Sequence, residues 1–152
     1  LIGSKKSDDL HGARGDDFLK GRKGDDSMYG NQGDDTLKGG KGDDVITGGQ
    51  GSDVLAGGSG RNSFGDERDG SIDKITIKMD ANAPDQMRNL DKKDRIVVKP
   101  VAGLDDAGFA VSPVEIANME AVQLIELGGQ AVAYYTGGNL SDRNLLSMLS
   151  LG

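Results

Sequence analysis

The chain has no cysteine and no tryptophan, few aromatic residues and no long apolar segment. The lack of cysteine excludes a disulfide-stapled scaffold, a thiolate metal site and a cysteine nucleophile. Aromatic residues make up 4% of the sequence, so a conventional apolar core would be thin. Because no run of about 18 apolar residues occurs, no membrane-spanning helix is expected.

An excess of positive charge is also lacking. The 25 acidic and 18 basic residues give a formal net charge of −7, whereas binding to nucleic acid requires a basic surface that neutralises phosphates. We therefore expect no nucleic acid partner, while cations are compatible ligands. The N-terminus has neither the basic nor the apolar region of a signal peptide. Because it begins with Leu1, we expect a fragment of a longer chain.

Glycine, in contrast, is abundant. Of the 25 glycines, 17 lie between Gly3 and Gly65. This stretch divides into consecutive blocks of nine residues whose phase never slips, and such a short period indicates stacked units that are each too small to bury a core alone. The blocks read GSKKSDDLH, GARGDDFLK, GRKGDDSMY, GNQGDDTLK, GGKGDDVIT, GGQGSDVLA and GGSGRNSFG.

Each position of the block has a physical interpretation. Glycine at positions 1 and 4 is typical of turns that need a positive φ angle or a close approach to a ligand. Position 8 is always apolar between mostly polar neighbours, which predicts a three-residue strand with one inward side chain. Position 6 holds an acidic residue in all but the last block, namely Asp8, Asp17, Asp26, Asp35, Asp44 and Asp53, followed by Asn62.

Stacking of these blocks would place the position-6 carboxylates about 4.8 Å apart, the distance between neighbouring strands. Like charges at that distance repel each other by several kcal/mol in a protein environment. A divalent cation between successive carboxylates would turn this repulsion into attraction. Carboxylate and turn carbonyl oxygens suit Ca²⁺ better than Mg²⁺ or Zn²⁺, so the repeat predicts a row of calcium sites.

The blocks Gly39–Thr47 and Gly48–Ala56 match in full the pattern G-G-x-G-x-D-x-U-x, in which U is apolar. Residues 1–65 therefore resemble the RTX (repeats-in-toxin) family of hemolysin-type calcium-binding nonapeptides. The resemblance implies an all-β fold, with a parallel β-roll of two nonapeptides per coil over residues 1–66. We expect residues 67–152 to form a mostly β C-terminal cap with a short terminal helix, and this region could carry a type I secretion signal.

The resemblance also implies the ligands. A Ca²⁺ ion is expected between successive position-6 residues on each side of the roll, which gives about four to five ions bound through oxygen ligands. The three central pairs are favoured, because Lys6 replaces a turn glycine and Asn62 is uncharged. One side stacks Asp8, Asp26, Asp44 and Asn62, and the other stacks Asp17, Asp35 and Asp53. The expected backbone carbonyl ligands lie in the turns at Gly12, Gly15, Gly21, Gly24, Gly30, Gly33, Gly39, Gly42, Gly48, Gly51, Gly57 and Gly60.

Two further rows of charge leave alternatives open. Lys5, Lys23 and Lys41 share position 3 in alternate blocks. This ladder either recognises an anionic glycan or lipopolysaccharide, or offsets the local aspartate charge. Position 5 supplies either extra calcium ligands or solvated carboxylates on the turn exterior, at Asp16, Asp25, Asp34 and Asp43.

The nine-residue period ends after Phe64. Strands are predicted at 74–79 and 95–98, and a hairpin is predicted from 121–127 and 130–136. A capping-box pattern at 112–115 predicts a helix to Met119. Ser141 is expected to cap a final helix with the apolar residues Leu145, Leu146, Met148 and Leu149. The candidates to cover the end of the roll are Phe64, Ile75, Ile77, Val97 and Val122.

No enzyme signature is found, because the sequence has no G-x-S-x-G, H-E-x-x-H or phosphate-binding loop pattern. The single histidine, His11, is predicted to be an exposed strand residue. We therefore expect a non-catalytic calcium module that folds outside a Gram-negative cell, secreted or at the cell surface, as part of an exported protein that uses the type I secretion machinery. The alternatives are a carbohydrate-binding or adhesion module that binds an anionic glycan or a cell surface, or the C-terminal part of a secreted protease, lipase or polysaccharide-modifying enzyme.

Overall fold

The computed structural model describes residues 1–65, 69–78, 84–90, 93–99, 109–114, 122–127, 130–135 and 149–151. Within these ranges all regular structure is β-strand, which confirms the predicted all-β fold class. None of the described segments forms a helix with the length and hydrophobicity that a bilayer span requires.

The strands are β1 (Asp9–Arg14), β2 (Phe18–Lys23), β3 (Ser27–Gln32), β4 (Thr36–Lys41), β5 (Val45–Gln50), β6 (Val54–Ser59), β7 (Ser63–Gly65), β8 (Lys74–Lys78), β9 (Asp85–Met87), β10 (Arg95–Lys99), β11 (Phe109–Val114), β12 (Val122–Leu127), β13 (Gln130–Tyr135) and β14 (Leu149–Leu151). One sheet has the order β1-β3-β5-β7-β9-β13-β12-β11, and the other has the order β14-β10-β8-β6-β4-β2. From β1 to β10, successive strands alternate between the two sheets, so that two strands make one coil of a parallel solenoid.

The strand register pairs each residue with the one 18 positions later throughout the repeat. Leu37 of β4 therefore pairs with Leu55 of β6, and Met28 of β3 pairs with Ile46 of β5. Because position 8 is always apolar, this register stacks one buried side chain above another and builds a narrow core between the sheets. The fully buried members in the repeat are Leu19, Met28, Leu37, Ile46, Leu55 and Phe64.

The strands are longer than the three residues predicted from the sequence. Each of β2 to β6 has six residues, from position 7 of one block to position 3 of the next. The extension is allowed because the position-1 glycine, such as Gly39, is itself buried and faces inward. An added Cβ on Gly39 would overlap the Asp44 carboxylate and lie 2.7 Å from the Gly57 carbonyl oxygen. The missing side chain of the position-1 glycine thus makes room for the turn aspartate.

Backbone strain at position 2 differs between the early and the late blocks. Gly40 has a φ angle of 127°, a conformation that side chains with a Cβ adopt only at a cost. In the earlier blocks the same position is occupied by Ala13, Arg22 and Asn31, with φ angles of 88°, 91° and 81°. The early blocks are therefore more strained than the blocks that follow Gly39.

Both sheets continue beyond Gly65, where the nine-residue period has ended. β8 pairs with β6, and β9 pairs with β7, both in parallel. The predicted strands at 74–79 and 95–98 correspond to β8 and β10. Phe64, Ile75 and Ile77 are fully buried at this end of the roll, whereas β10 directs Ile96 inward and leaves Val97 partly exposed.

The C-terminal region differs from the prediction where helices were expected. Residues 112–114 belong to β11, which pairs antiparallel with β12, so the predicted helix start is wrong, and 115–120 lie outside the described residues. β11 is an edge strand, where the missing N–H of Pro113 is tolerated. Leu149 belongs to β14 on the β10 edge rather than to a terminal helix, and 141–148 also lie outside the described residues. The predicted hairpin is confirmed by the antiparallel pairing of β12 with β13.

A pair of glycine substitutions separates the space needed at position 1 from the φ angle needed at position 4. Gly39→Ala forces a Cβ onto the Asp44 carboxylate, so we expect a loss of about 3 kcal/mol in the free energy of unfolding. Gly15→Ala tests the φ angle alone, because Gly15 has a φ of 91° and an added Cβ meets no described atom within 4 Å. Its expected loss is about 1 kcal/mol.

Urea denaturation at saturating Ca²⁺ would measure both losses. Equal losses for the two variants would contradict the packing role assigned to position 1.

Candidate metal centre

The position-6 residues form two files, one on each side of the roll, as predicted. Asp26, Asp35, Asp44 and Asp53 are each 1% exposed, and Asn62 is fully buried. The first residue of each file, Asp8 or Asp17, is only half-buried. The turn glycines thus place at least four carboxylates inside the roll, and their role as ligands stays a prediction at this point.

Each buried carboxylate accepts a hydrogen bond from a backbone N–H of the preceding coil. The backbone N–H of Asp26 donates to Asp44 Oδ1 at 2.9 Å, and that of Asp35 donates to Asp53 Oδ1 at 2.8 Å. The same bond joins Asp17 to Asp35 at 2.7 Å. One oxygen of each buried carboxylate is therefore satisfied by the backbone, and the side-chain orientation is fixed along the file.

The second carboxylate oxygen is not satisfied. Oδ2 of Asp26, Asp35, Asp44 and Asp53 is buried and accepts no hydrogen bond within the described ranges. A carbonyl oxygen lies nearby, because the space where Gly39 lacks a Cβ is bordered by both Asp44 Oδ2 and the Gly57 carbonyl. A buried, charged oxygen without a partner is costly, so this set of hard oxygens fits a cation that prefers oxygen ligands, such as Ca²⁺.

Side chains alone do not form a complete cage. In the part of the chain that the structure describes, no three His, Asp or Glu side chains converge as a metal-binding group. Backbone carbonyls of the glycine turns would have to supply the remaining ligands, as the repeat pattern implies.

The N-terminal end of the file is closed by hydrogen bonds. Asp8 Oδ2 accepts bonds from the Ser4 backbone N–H at 2.6 Å and from Ser4 Oγ at 3.0 Å. The sequence singled out Lys6 as the unusual residue of this block, whereas Ser4 is the residue that contacts the carboxylate. The oxygen of Asp8 that would face a cation already has partners, unlike that of Asp26.

Both files continue past the repeat through aspartates that the sequence analysis missed. Asp53 N–H donates to Asp73 Oδ1 at 2.7 Å, and Asp73 N–H donates to Asp94 Oδ1 at 3.2 Å. On the other side, Asn62 N–H donates to Asp85 Oδ1 at 2.8 Å. The available signal was an aspartate two residues before an apolar strand residue. It was hidden because the spacings become 20, 21 and 23 residues instead of 18.

The position-5 residues form a second, outer ladder. Asp34 N–H donates to Asp16 Oδ1 at 2.9 Å, and Asp43 N–H donates to Asp25 Oδ1 at 2.8 Å. These bonds run from a later coil to an earlier one, opposite to the bonds of the buried file. The exposed position-5 carboxylates therefore have a structural role that neither alternative considered, because they satisfy a turn N–H in the next coil.

Burial makes ionisation of the central carboxylates difficult. It raises the pKa of Asp44 from 3.8 to about 6, against the opposing effect of the Asp26 N–H and with help from nearby carboxylates such as Asp26 and Asp25. Burial likewise raises the pKa of Asp53 to about 7, with added repulsion from Asp73 and Asp35. The pKa values of Asp26 and Asp35 are raised in the same direction by burial.

The outer surface of the roll carries a separate concentration of positive charge. The six-stranded sheet contains nine lysines and arginines and no acidic residue in its strands, half of the 18 in the chain. A cleft of about 250 Å³ at one end of this sheet is lined by basic side chains, and none of them lies within ion-pair distance of a described carboxylate. The lining residues are Lys5, Lys20, Arg22, Lys23 and Lys41.

The opposite sheet carries His11 in β1, where it is exposed as predicted. Its ring stacks on Tyr29 with centroids 4.8 Å apart, and Nε2 lies 2.9 Å from Asp9 Oδ1. Both contacts are with neighbouring side chains on the sheet surface, as expected for an exposed strand residue.

Comparison with known proteins supports the interpretation of the repeat. The family profile of the RTX calcium-binding nonapeptide repeat matches residues 2–37 and 29–64. No curated protein sequence matches the chain.

Several solved structures are similar to the chain. The AlgE6R3 subunit of the Azotobacter vinelandii mannuronan C5-epimerase matches at 22% identity and a TM-score of 0.45, covering 100% of this chain and 81% of that one. The AlgE6R2 subunit of the same epimerase matches at 23% identity and a TM-score of 0.37, and the match covers 95% of this chain and 89% of that one. The extracellular lipase LipA from Serratia marcescens matches at 15% identity and a TM-score of 0.36, and the match covers 99% of this chain and 39% of that one. With TM-scores under 0.5, these likenesses do not bear on function.

The raised carboxylate pKa values predict an unusual pH dependence of the metal-free chain. Stability from a group with a raised folded-state pKa is present below its unfolded-state pKa and is lost as the pH rises through the folded value. We therefore expect β-structure without metal to be favoured near pH 4 and to be lost as the pH rises through 6 to 7, the range set by Asp44 and Asp53.

Far-ultraviolet circular dichroism of the chelated protein across this range measures the effect. A metal-free chain that gains β-structure as the pH rises would contradict it.

Proposed function

We propose that the chain is a module that folds when it binds Ca²⁺ outside the cell. In this role it supports the secretion and stability of a larger exported protein. The match of residues 2–64 to the RTX calcium-binding nonapeptide repeat supports this proposal. The observation that carries the proposal is the buried Oδ2 atom of four stacked aspartates, which accepts no hydrogen bond from any described residue. When the carboxylate is ionised, a cation would supply the partner that this oxygen lacks.

The proposed ligands are the carboxylates of the two files together with the turn carbonyls. Bound Ca²⁺ supplies positive charge that neutralises neighbouring carboxylates and joins one coil to the next. Asp35 stands between Asp17 and Asp53 in its file, so its carboxylate would serve two successive ions. The full proposed set at position 6 is Asp8, Asp17, Asp26, Asp35, Asp44, Asp53 and Asn62.

Calcium binding would decide whether the module folds. Without Ca²⁺, the chain must order many glycines and bury repelling carboxylates for a small gain in apolar burial. A site at about ten times its dissociation constant contributes roughly 1.4 kcal/mol. Several such sites together are comparable with the whole stability of a small domain, which is about 5–15 kcal/mol.

The same dependence connects folding with location. Extracellular calcium modules bind Ca²⁺ at roughly 10⁻⁴ to 10⁻³ M, a concentration found outside cells but not in the cytosol. The chain would therefore remain unfolded during type I secretion from a Gram-negative cell and would fold after export.

A second candidate function, recognition of an anionic glycan, is favoured by the basic cleft. Its five lysines and arginines are exposed. None of them lies within ion-pair distance of a described carboxylate, so direct ion pairing does not account for the lysine ladder. A chain with a net charge of −7 that keeps one sheet free of acidic strand residues presents a surface for a polyanion.

Calcium titration followed by circular dichroism tests the first function. We expect a cooperative gain of β-structure with Ca²⁺ and none with equal Mg²⁺, because Mg²⁺ requires a rigid octahedral site. Asp35→Ala should raise the midpoint more than Asp8→Ala, since Asp35 lies between two sites and Asp8 is already bonded to Ser4. Retention of the full β-structure in excess chelator at neutral pH would overturn the proposal.

Binding of a soluble acidic polysaccharide, followed by calorimetry in saturating Ca²⁺, tests the second function. The double variant Lys23→Ala/Lys41→Ala should weaken binding about tenfold, because each exposed ion pair contributes about 0.5–1 kcal/mol. The control Arg14→Ala/Arg88→Ala removes the same charge outside the six-stranded sheet and should have little effect. If both double variants weaken binding equally, the cleft is not the site.

A further inference from the structure

Asn62 is the one position-6 residue of the repeat that is not acidic, and it lies inside a file of carboxylates. It is fully buried. Asp44 precedes it in the file and Asp85 follows it, since Asp44 N–H bonds to Asn62 and Asn62 N–H bonds to Asp85. The side-chain amide therefore lies where every earlier coil holds a carboxylate.

The orientation of the Asn62 amide follows from its neighbours. Oδ1 accepts the Asp44 backbone N–H at 3.2 Å, as the carboxylate Oδ1 does in the other coils. Nδ2 donates to Asp85 Oδ1 at 3.0 Å and to the Gly60 carbonyl at 3.3 Å. The opposite orientation would place the amide oxygen against a carboxylate and a carbonyl, and it would leave the Asp44 N–H without an acceptor.

We propose that the row of calcium ions ends on this side of the roll at Asn62, and that the step from Asn62 to Asp85 is bridged by the amide instead of an ion. The inference rests on the proposed function. Asn62 points an N–H donor where Asp44 points the unpartnered Oδ2. An N–H group cannot ligate Ca²⁺, which takes oxygen ligands, and its positive hydrogens occupy the approach to the Asp85 carboxylate.

The preceding step of the file, from Asp44 to Asn62, differs because its oxygen ligands are all present. Asp44 Oδ2 and the Gly57 carbonyl still border the same space, so the coil pair Asp44–Asn62 fits an ion whereas the pair Asn62–Asp85 does not. An amide offers its own donor to the next carboxylate, and the Asp85 coil is thereby attached to the roll without metal. The last coils on this side would hold together at calcium concentrations that leave the earlier coils open.

Native mass spectrometry of the Ca²⁺-loaded chain counts the ions and tests the inference. Asn62→Asp restores a carboxylate and should bind one more Ca²⁺ than the wild type. Asp44→Asn makes the reverse exchange one coil earlier and serves as the matched variant, which should bind one ion fewer. Circular dichroism at saturating Ca²⁺ verifies that each variant is folded.

A second measurement does not depend on a variant that folds. In the Ca²⁺-loaded wild type, nitrogen–proton correlation spectra should show the Asn62 side-chain NH₂ protected from hydrogen exchange, because both of its acceptors are internal. An unchanged ion count in folded Asn62→Asp, or a rapidly exchanging Asn62 amide, would overturn the inference while leaving the calcium module intact. A wild type that binds no Ca²⁺ would instead overturn the proposed function.

Discussion

The architecture depends on buried carboxylates that lie one above another at the spacing of neighbouring strands. Four buried aspartates of the repeat each receive one backbone N–H, which fixes the carboxylate but leaves its second oxygen without a hydrogen bond in the described ranges; they are Asp26, Asp35, Asp44 and Asp53. Desolvation of that oxygen opposes the fold, and the apolar file between the sheets is only one side chain wide. We therefore expect stability to depend on whether the carboxylate charge is removed by a proton or balanced by a cation.

Glycine serves this arrangement in two different ways. The position-1 glycine gives up a side chain so that the aspartate five residues later can lie inside the roll, as Gly39 does for Asp44. The position-4 glycine gives the turn a φ angle that other residues rarely adopt, as Gly42 does at 124°. The repeat consensus thus records space requirements and backbone requirements separately, and a substitution at each position fails for a different reason.

The sequence predicted the parts of the fold that repeat without interruption. Leu37 and Leu55 pair because the apolar residue and the aspartate recur with the same period, so one register satisfies both. The sequence did not reveal Asp73, Asp85 and Asp94 as members of the files, because insertions in the turns changed the spacing while the strands kept their pairing. The helix predicted to start at Ser112 and Pro113 was wrong, because these residues pair with β12 and strand pairing outweighs a local capping pattern. The role of the position-5 aspartates required coordinates, because their partners lie 18 residues away.

The longer spacings of the last coils have a consequence for how such a chain can diversify. Two, three or five additional residues are accommodated between successive coils, yet the strands remain paired and the aspartates remain stacked. The added residues fall between strands in the sequence, where loop closure becomes only slowly more unfavourable with length. A solenoid of this kind can accept added residues between its strands while the paired strands and stacked aspartates stay the same, so that its sequence can lengthen without a new fold.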